Sequence, residues 1–222
     1  MPCGMSHERA TGSSAVANDT TAALTTEQGQ VAVFVAVDHC SAECAGIHAA
    51  LNGTRHEALE PIRQGVGARF GAIGEDVAAG LSLRHDHGSQ YSQYMSHDFQ
   101  AEIRWPGAAS SPAFVRAPEG NGCAERFIRT LKENLLWVRT FATVEELRLA
   151  LLVFRRTYNE HWPIERHGHR SPARFRRDQL DAQAMAASSQ TAVSRTGGGT
   201  GGDEVEYRAG AYVQEVRILE VS

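Results

Sequence analysis

Seven consecutive apolar residues, Val31-Ala32-Val33-Phe34-Val35-Ala36-Val37, constrain this chain more than any other feature. Successive side chains of a strand point to opposite faces, so a run without a polar break needs cover on both. Valine favours the extended form, and the run is short for a buried helix. The segment is therefore predicted to be a strand inside a sheet packed on both faces. Asp38 ends it, and residues 43–49 are predicted as the next strand of a hairpin.

Helical periodicity takes over elsewhere. Between Thr54 and Phe70, Ala58, Leu59, Ile62, Val66 and Phe70 fall on one helical face. Thr54 with Glu57 three residues later predicts a capping box. Leu81–His85 is expected to be a short strand ending at Asp86. A short helix is expected near 97–104, broken by Pro106 and Gly107. Residues 122–139 predict a long helix with Ala124, Phe127, Ile128, Leu131, Leu135 and Val138 on its apolar face. A second helix is expected over about 143–159, through Val144, Leu147, Leu151, Phe154 and Tyr158. Strands come first and helices dominate later, which implies an α/β mixed sheet flanked by helices. Residues 1–15 lack periodicity and are expected to be a disordered N-terminal segment, with the core over 16–180. Residues 181–222 are expected to hold a flexible linker at Gly197–Gly202 and an unassigned tail, in which Glu204–Val221 alternates weakly.

Composition excludes some classes. Hydrophobic content of 42% and charged content of 22% are ordinary for a soluble globular protein. No apolar run approaches the roughly 18 residues of a membrane span. The first residues lack a basic-then-apolar leader, so a cytoplasmic location is expected. Cys3, Cys40, Cys44 and Cys123 show no CxxC spacing and are expected to be reduced thiols. The net charge of −4 hides a gradient: residues 103–178 carry 14 basic and 8 acidic side chains, whereas residues 1–102 carry 5 and 12. A basic second half fits a phosphate backbone, and equally a solvated helical surface.

Two stretches carry candidate chemistry. Asp86 follows a strand within Arg84-His85-Asp86-His87-Gly88-Ser89-Gln90-Tyr91. Glu125 opens a helix after Asn121-Gly122-Cys123-Ala124, with Arg129 and Lys132, the only lysine, four and seven residues later on the same face. Two acids so placed can share a divalent cation while the cations meet phosphates. Each also has a plain alternative: Asp86 as a turn residue, and Glu125 as a capping carboxylate with Arg129 as its i,i+4 partner. His85, His87 and His97, and His161, His167 and His169, form two histidine groups, but no third ligand with zinc spacing is evident.

Together the segments resemble a known family. Asp-x-Gly-Ser-Gln-Tyr after a strand, followed by Asn-Gly-x-Ala-Glu-Arg-Phe-x-Arg-Thr-Leu-Lys, is similar to the integrase core (DDE-type) of bacterial insertion-sequence transposases and retroviral integrases. Tyr158-Asn159, His167-Gly168 and Ser171-Pro172 resemble the segment that closes the core in the insertion-sequence branch. Thirty-eight residues separate Asp86 from Glu125. Ser89-Gln90-Tyr91 is copied at once as Ser92-Gln93-Tyr94, and without the copy the interval is the thirty-five usual in that family.

The resemblance implies a ribonuclease H-like fold and a third carboxylate on the first strand. Val16-Ala17-Asn18-Asp19-Thr20-Thr21 occupies that place, making Asp19 the expected ligand, although Val16 stands where the family carries Trp. Asp38 is the alternative, with an expected structural role at the end of the second strand. Asp19, Asp86 and Glu125 would thus be catalytic and hold Mg2+, with Mn2+ able to substitute. Arg129, Lys132, Asn121 and His85 would contact DNA. The implied activity is cleavage and transfer of DNA strands in transposition, by a truncated copy acting as a homo-oligomer on double-stranded element ends and target in the nucleoid. A separate helix-turn-helix polypeptide is a further candidate partner. The alternatives are an inactive DNA-binding remnant, or a nuclease on the same fold that cleaves without joining.

Overall fold

The computed structural model describes residues 15–85, 97–112 and 122–196. Five strands form one mixed sheet: β1 (Ala15–Thr25), β2 (Gly29–Asp38), β3 (Cys44–Ala50), β4 (Ser82–His85) and β5 (Ala109–Pro112), in the order β3-β2-β1-β4-β5. β1, β2 and β3 are antiparallel neighbours, and β4 and β5 run parallel to β1. Helices α1 (Arg55–Phe70), α2 (His97–Arg104), α3 (Gly122–Leu131), α4 (Val144–His161) and α5 (Pro172–Thr196) complete the described chain. This is the expected mixed sheet flanked by helices. The chain divides into two compact units, Met1–Asp181 and Ala182–Ser222, and the whole sheet belongs to the first.

The apolar run is β2, and it is covered on both faces. Val31, Val33, Val35 and Val37 join the core formed by α3 and α4, through Ala124, Phe127, Leu131, Leu147 and Leu151. Phe34 and Ala36 join the opposite core, with Leu59, Ile62 and Val66 of α1 and Phe99 and Ile103 of α2. The alternation of β1 follows the same rule, with Ala17 in the α3/α4 core and Val16 in the α1/α2 core. Which acid faces which helix is thereby fixed by parity.

α1 starts where its cap predicts. Thr54 adopts extended backbone, and its hydroxyl accepts from the Glu57 N–H. The box is only half formed, because the Glu57 carboxylate pairs with His48 of β3 instead of turning back. β3 lies against α1 so tightly that a Cβ at Gly46 would stand 1.9 Å from the Pro61 carbonyl oxygen. β3 is also a sheet edge, and α4 covers it. Arg155 donates to the Cys44 and Ala45 carbonyls (3.0 and 2.6 Å), and Arg148 donates to Ala49 (2.7 Å). The Asn159 amide accepts from the Cys44 N–H and donates to its carbonyl. Paired side chains thus satisfy backbone groups that would otherwise invite another strand.

The long helix expected over 122–139 is interrupted. α3 ends at Leu131, and Lys132–Leu136 form a π-turn closed by the Trp137 N–H donating to the Lys132 carbonyl at 2.9 Å. The extra residue rotates the next turn of chain off the apolar face. Leu135 stays buried, but Val138, expected in the core, is 65% exposed. Phe70, expected on the apolar face of α1, is also exposed at the helix end. The copied Ser-Gln-Tyr triplet, most of the N-terminal segment, the glycine linker and the predicted tail hairpin lie outside the described residues.

Candidate active site

Asp19 lies near the middle of β1, opposite Val35 of β2. By strand parity it shares the face of Ala17, on the side of α3. Its neighbour Asn18 turns the other way and donates to the Ala58 carbonyl of α1. The Asp19 carboxylate accepts the Thr20 N–H at 2.7 Å. Glu125 sits in the first turn of α3, where the helix dipole favours an anion. α3 is anchored to that face of the sheet by Ala124, Phe127, Ile128 and Leu131. Asp19 and Glu125 therefore line one open cleft of about 620 Å³, together with Thr20, Thr21, Ile128, Arg129, Lys132, Glu133 and Trp137.

Asp38 occupies the other face. Its Oδ2 accepts from Arg69 of α1 at 3.1 Å, and its Oδ1 accepts the Ser41 N–H at 2.7 Å and the Cys40 N–H at 3.0 Å. Burial pushes this carboxyl up, but the Ser41 hydrogen bonds and the Arg69 guanidinium outweigh it and hold the group below its ordinary value. It caps the turn after β2 and ties it to α1, and it is not among the cleft residues.

Asp86 and Asn121 lie outside the described residues, as does His87. His85, which immediately precedes Asp86, is the last residue of β4 and pairs with Asn18, the residue before Asp19. Arg129 and Lys132 are in the cleft, but Arg129 does not pair with Glu125 as the capping alternative supposed. It bonds Glu133 one turn on, at 2.8 Å. Glu133 and Trp137 are cleft residues that sequence reasoning missed. Helical periodicity assigned no role to the first and, without the π-turn, gave no reason to place the second there.

A pair of carboxylates in one cleft is a hard-oxygen donor set of the kind magnesium takes, so the residues present fit that ion as a partial site. Among the described residues no group of three His, Cys, Asp or Glu side chains is gathered for a metal. Of the second histidine group, His167 is buried and packed, whereas His161 and His169 are exposed. The His167 ring stacks on Phe175 at 3.8 Å, and its Nε2 donates to the Cys40 carbonyl. Tyr158 packs edge-on against Phe127 at 4.8 Å, and burial pushes its hydroxyl well above the ordinary tyrosine value. Burial likewise pushes the Cys44 thiol up to about 12, so it is inert as a nucleophile.

Residues 110–172 match the integrase core domain family. Among solved structures, the chain is similar to the catalytic core domain of BIV integrase, with a TM-score of 0.54 at 18% identity over 78% of this chain and 99% of that one. It is also similar to a chain of the simian T-cell lymphotropic virus intasome solved in complex with the PP2A regulatory subunit B56 gamma. That likeness has a TM-score of 0.50 at 17% identity, and covers 72% of this chain but about half (53%) of the other. No curated protein matches. Among the described residues no helix is long and apolar enough to cross a membrane.

Proposed function

We propose, from the match of residues 110–172 to the integrase core domain and the likeness in fold to integrase catalytic cores, that this chain is a transposase or integrase core that cleaves and joins DNA strands with a divalent metal. One observation carries the proposal. Asp19 and Glu125, remote in sequence, line the same cleft as Arg129 and Lys132. Asp38, the rival acid, is tied to Arg69 on the opposite face.

Asp19 and Glu125 would hold magnesium with Asp86, which in sequence follows His85, the β4 residue paired with Asn18. When bound, the metal supplies Lewis-acid activation of a water or 3′-hydroxyl and stabilises the leaving oxygen. The protein's own contribution is placement. The Thr20 N–H holds the Asp19 carboxylate, and the two acids stand on a strand and a helix packed into one core. Arg129 and Lys132 orient the phosphates that flank the scissile bond. Double-stranded DNA is the substrate, and His85 and Asn121 are assigned to its positioning.

A strand-transfer assay with a labelled duplex bearing a free 3′-hydroxyl, in magnesium or manganese, tests this. The expected result is a joined product, reduced at least a hundredfold in Asp19→Asn, Asp86→Asn and Glu125→Gln. Cleavage without joining would make the protein a nuclease. DNA retention on a gel with no product under either metal would make it a binding remnant.

A further inference from the structure

The π-turn after α3 delivers an aromatic side chain to the cleft. In an unbroken α-helix, each residue turns about 100°, so a residue twelve places after Glu125 would point about 120° away from it. One extra residue in the turn removes about 100° of that, leaving Trp137 within about 20° of the Glu125 direction. The same slip accounts for Val138 leaving the core. Trp137 lines the cleft with Asp19, Glu125, Arg129 and Lys132, yet is 69% exposed. Among the described residues its ring makes no aromatic or cation–π contact. Its backbone N–H donates to the Lys132 carbonyl, which closes the π-turn beneath the indole.

We propose that Trp137 is a stacking platform for an unpaired nucleobase at the end of the DNA strand held in the cleft. This rests on the strand-transfer reading above and adds a base-contacting residue to it. An indole beside two phosphate-binding cations matches how single-stranded segments are held, with backbone on positive charge and bases on aromatic faces. A base inside an intact duplex already has neighbours above and below. Twelve helical residues also carry Trp137 about 18 Å along the axis from Glu125, so its partner is a frayed or overhanging base two or three nucleotides from the phosphodiester that faces Asp19 and Glu125.

The test uses the full chain with calcium in place of the catalytic metal, and two duplexes of equal length. One is blunt, and the other ends in a short overhang carrying 2-aminopurine. Wild type is expected to bind the overhang duplex more tightly and to quench its fluorescence. Trp137→Ala should weaken that binding roughly five- to 150-fold and abolish the quenching, with blunt-duplex binding unchanged. Trp137→Phe should restore most of both. Unchanged quenching in Trp137→Ala, or equal loss on the two duplexes, overturns the proposal. So does a fall in the sedimenting mass of free protein on Trp137→Ala, which would make this face an interface between copies. If wild type binds neither duplex in a salt-dependent way, the strand-transfer reading itself fails along with it. Salt-dependent binding without overhang preference would sink the stacking role alone.

Discussion

Glu133 holds Arg129 across one helical turn, in a pair that is largely exposed. Such an exposed pair is weak and screened by salt, so a phosphate can displace the carboxylate at little cost. Under the proposed function, Glu133 would be a placeholder that neutralises the guanidinium until a phosphate replaces it. Glu133→Gln should tighten binding to duplex DNA up to roughly fivefold at low salt. Arg129→Gln, by contrast, should flatten the slope of log affinity against log salt by about one contact. Titrations across a salt series check both; an unchanged slope would remove Arg129 from the phosphate contacts. The faces on which Asp19 and Asp38 lie were partly legible at this scale. Both end or lie within apolar strands, and resemblance favoured Asp19. What separates them physically is parity: Asp19 shares a face with Ala17, whereas Asp38 aligns with Phe34 and Ala36. That parity becomes decisive only once α3 and α1 are known to cover opposite faces.

At the scale of elements, periodicity was a good guide wherever packing and propensity agreed. The apolar run became β2, the capped segment became α1, and 97–104 became α2. It was a poor guide where neither was present. β5, Ala-Ser-Ser-Pro, has no apolar pattern; its place is an edge beside β4, where a proline is tolerated. α5 extends to Thr196 with a weak apolar stripe, and no helix was foreseen there. The π-turn is likewise silent in sequence, since 131–138 reads as continuous helix. Gly46 shows how tightly neighbouring elements are set. Its missing Cβ is what lets β3 meet α1 at Pro61, backbone to backbone. Gly46→Ala must push the helix off the strand and is expected to cost about 1–3 kcal/mol, the range for overpacking. A lowered urea midpoint with unchanged slope would record it. Gly67→Ala, where a Cβ meets nothing within 4 Å, is the control and should be neutral or slightly stabilising.

Across the whole core unit, the positive charge of residues 103–178 is not a single DNA-tracking surface. Arg148 and Arg155 cover the β3 edge, Arg176 pairs with Glu43, and Arg166 donates to the His39 and Cys40 carbonyls. Much of the gradient legible in sequence is therefore structural, and Arg129 and Lys132 carry the cleft's share. Arg166 also belongs to the segment that closes the core. There His167 bonds Cys40, Arg170 donates to the His167 carbonyl, and the Phe175 ring covers the imidazole. Because the Cys40 carbonyl can only accept, Nε2 carries the proton. Nδ1 is buried and has no hydrogen-bond partner among the described residues. A second proton would be unsolvated and would face Arg166 and Arg170, with Asp38 the nearby counter-charge. Burial first, then those cations, hold the His167 pKa below its ordinary 6.5. The unfolded chain thus binds a proton that the folded core refuses. Stability from this site is complete above about pH 6.5 and is lost as pH falls from there through the lower folded value. The Asp38 contribution, with its folded pKa below 3.8, is lost only in more acid solution. Thermal melts from pH 8 to pH 5 should therefore show a falling midpoint in wild type. His167→Gln should lower the midpoint throughout but flatten the dependence in this window. An equally steep decline in the variant would assign the proton uptake to other histidines and leave His167 a packing residue only.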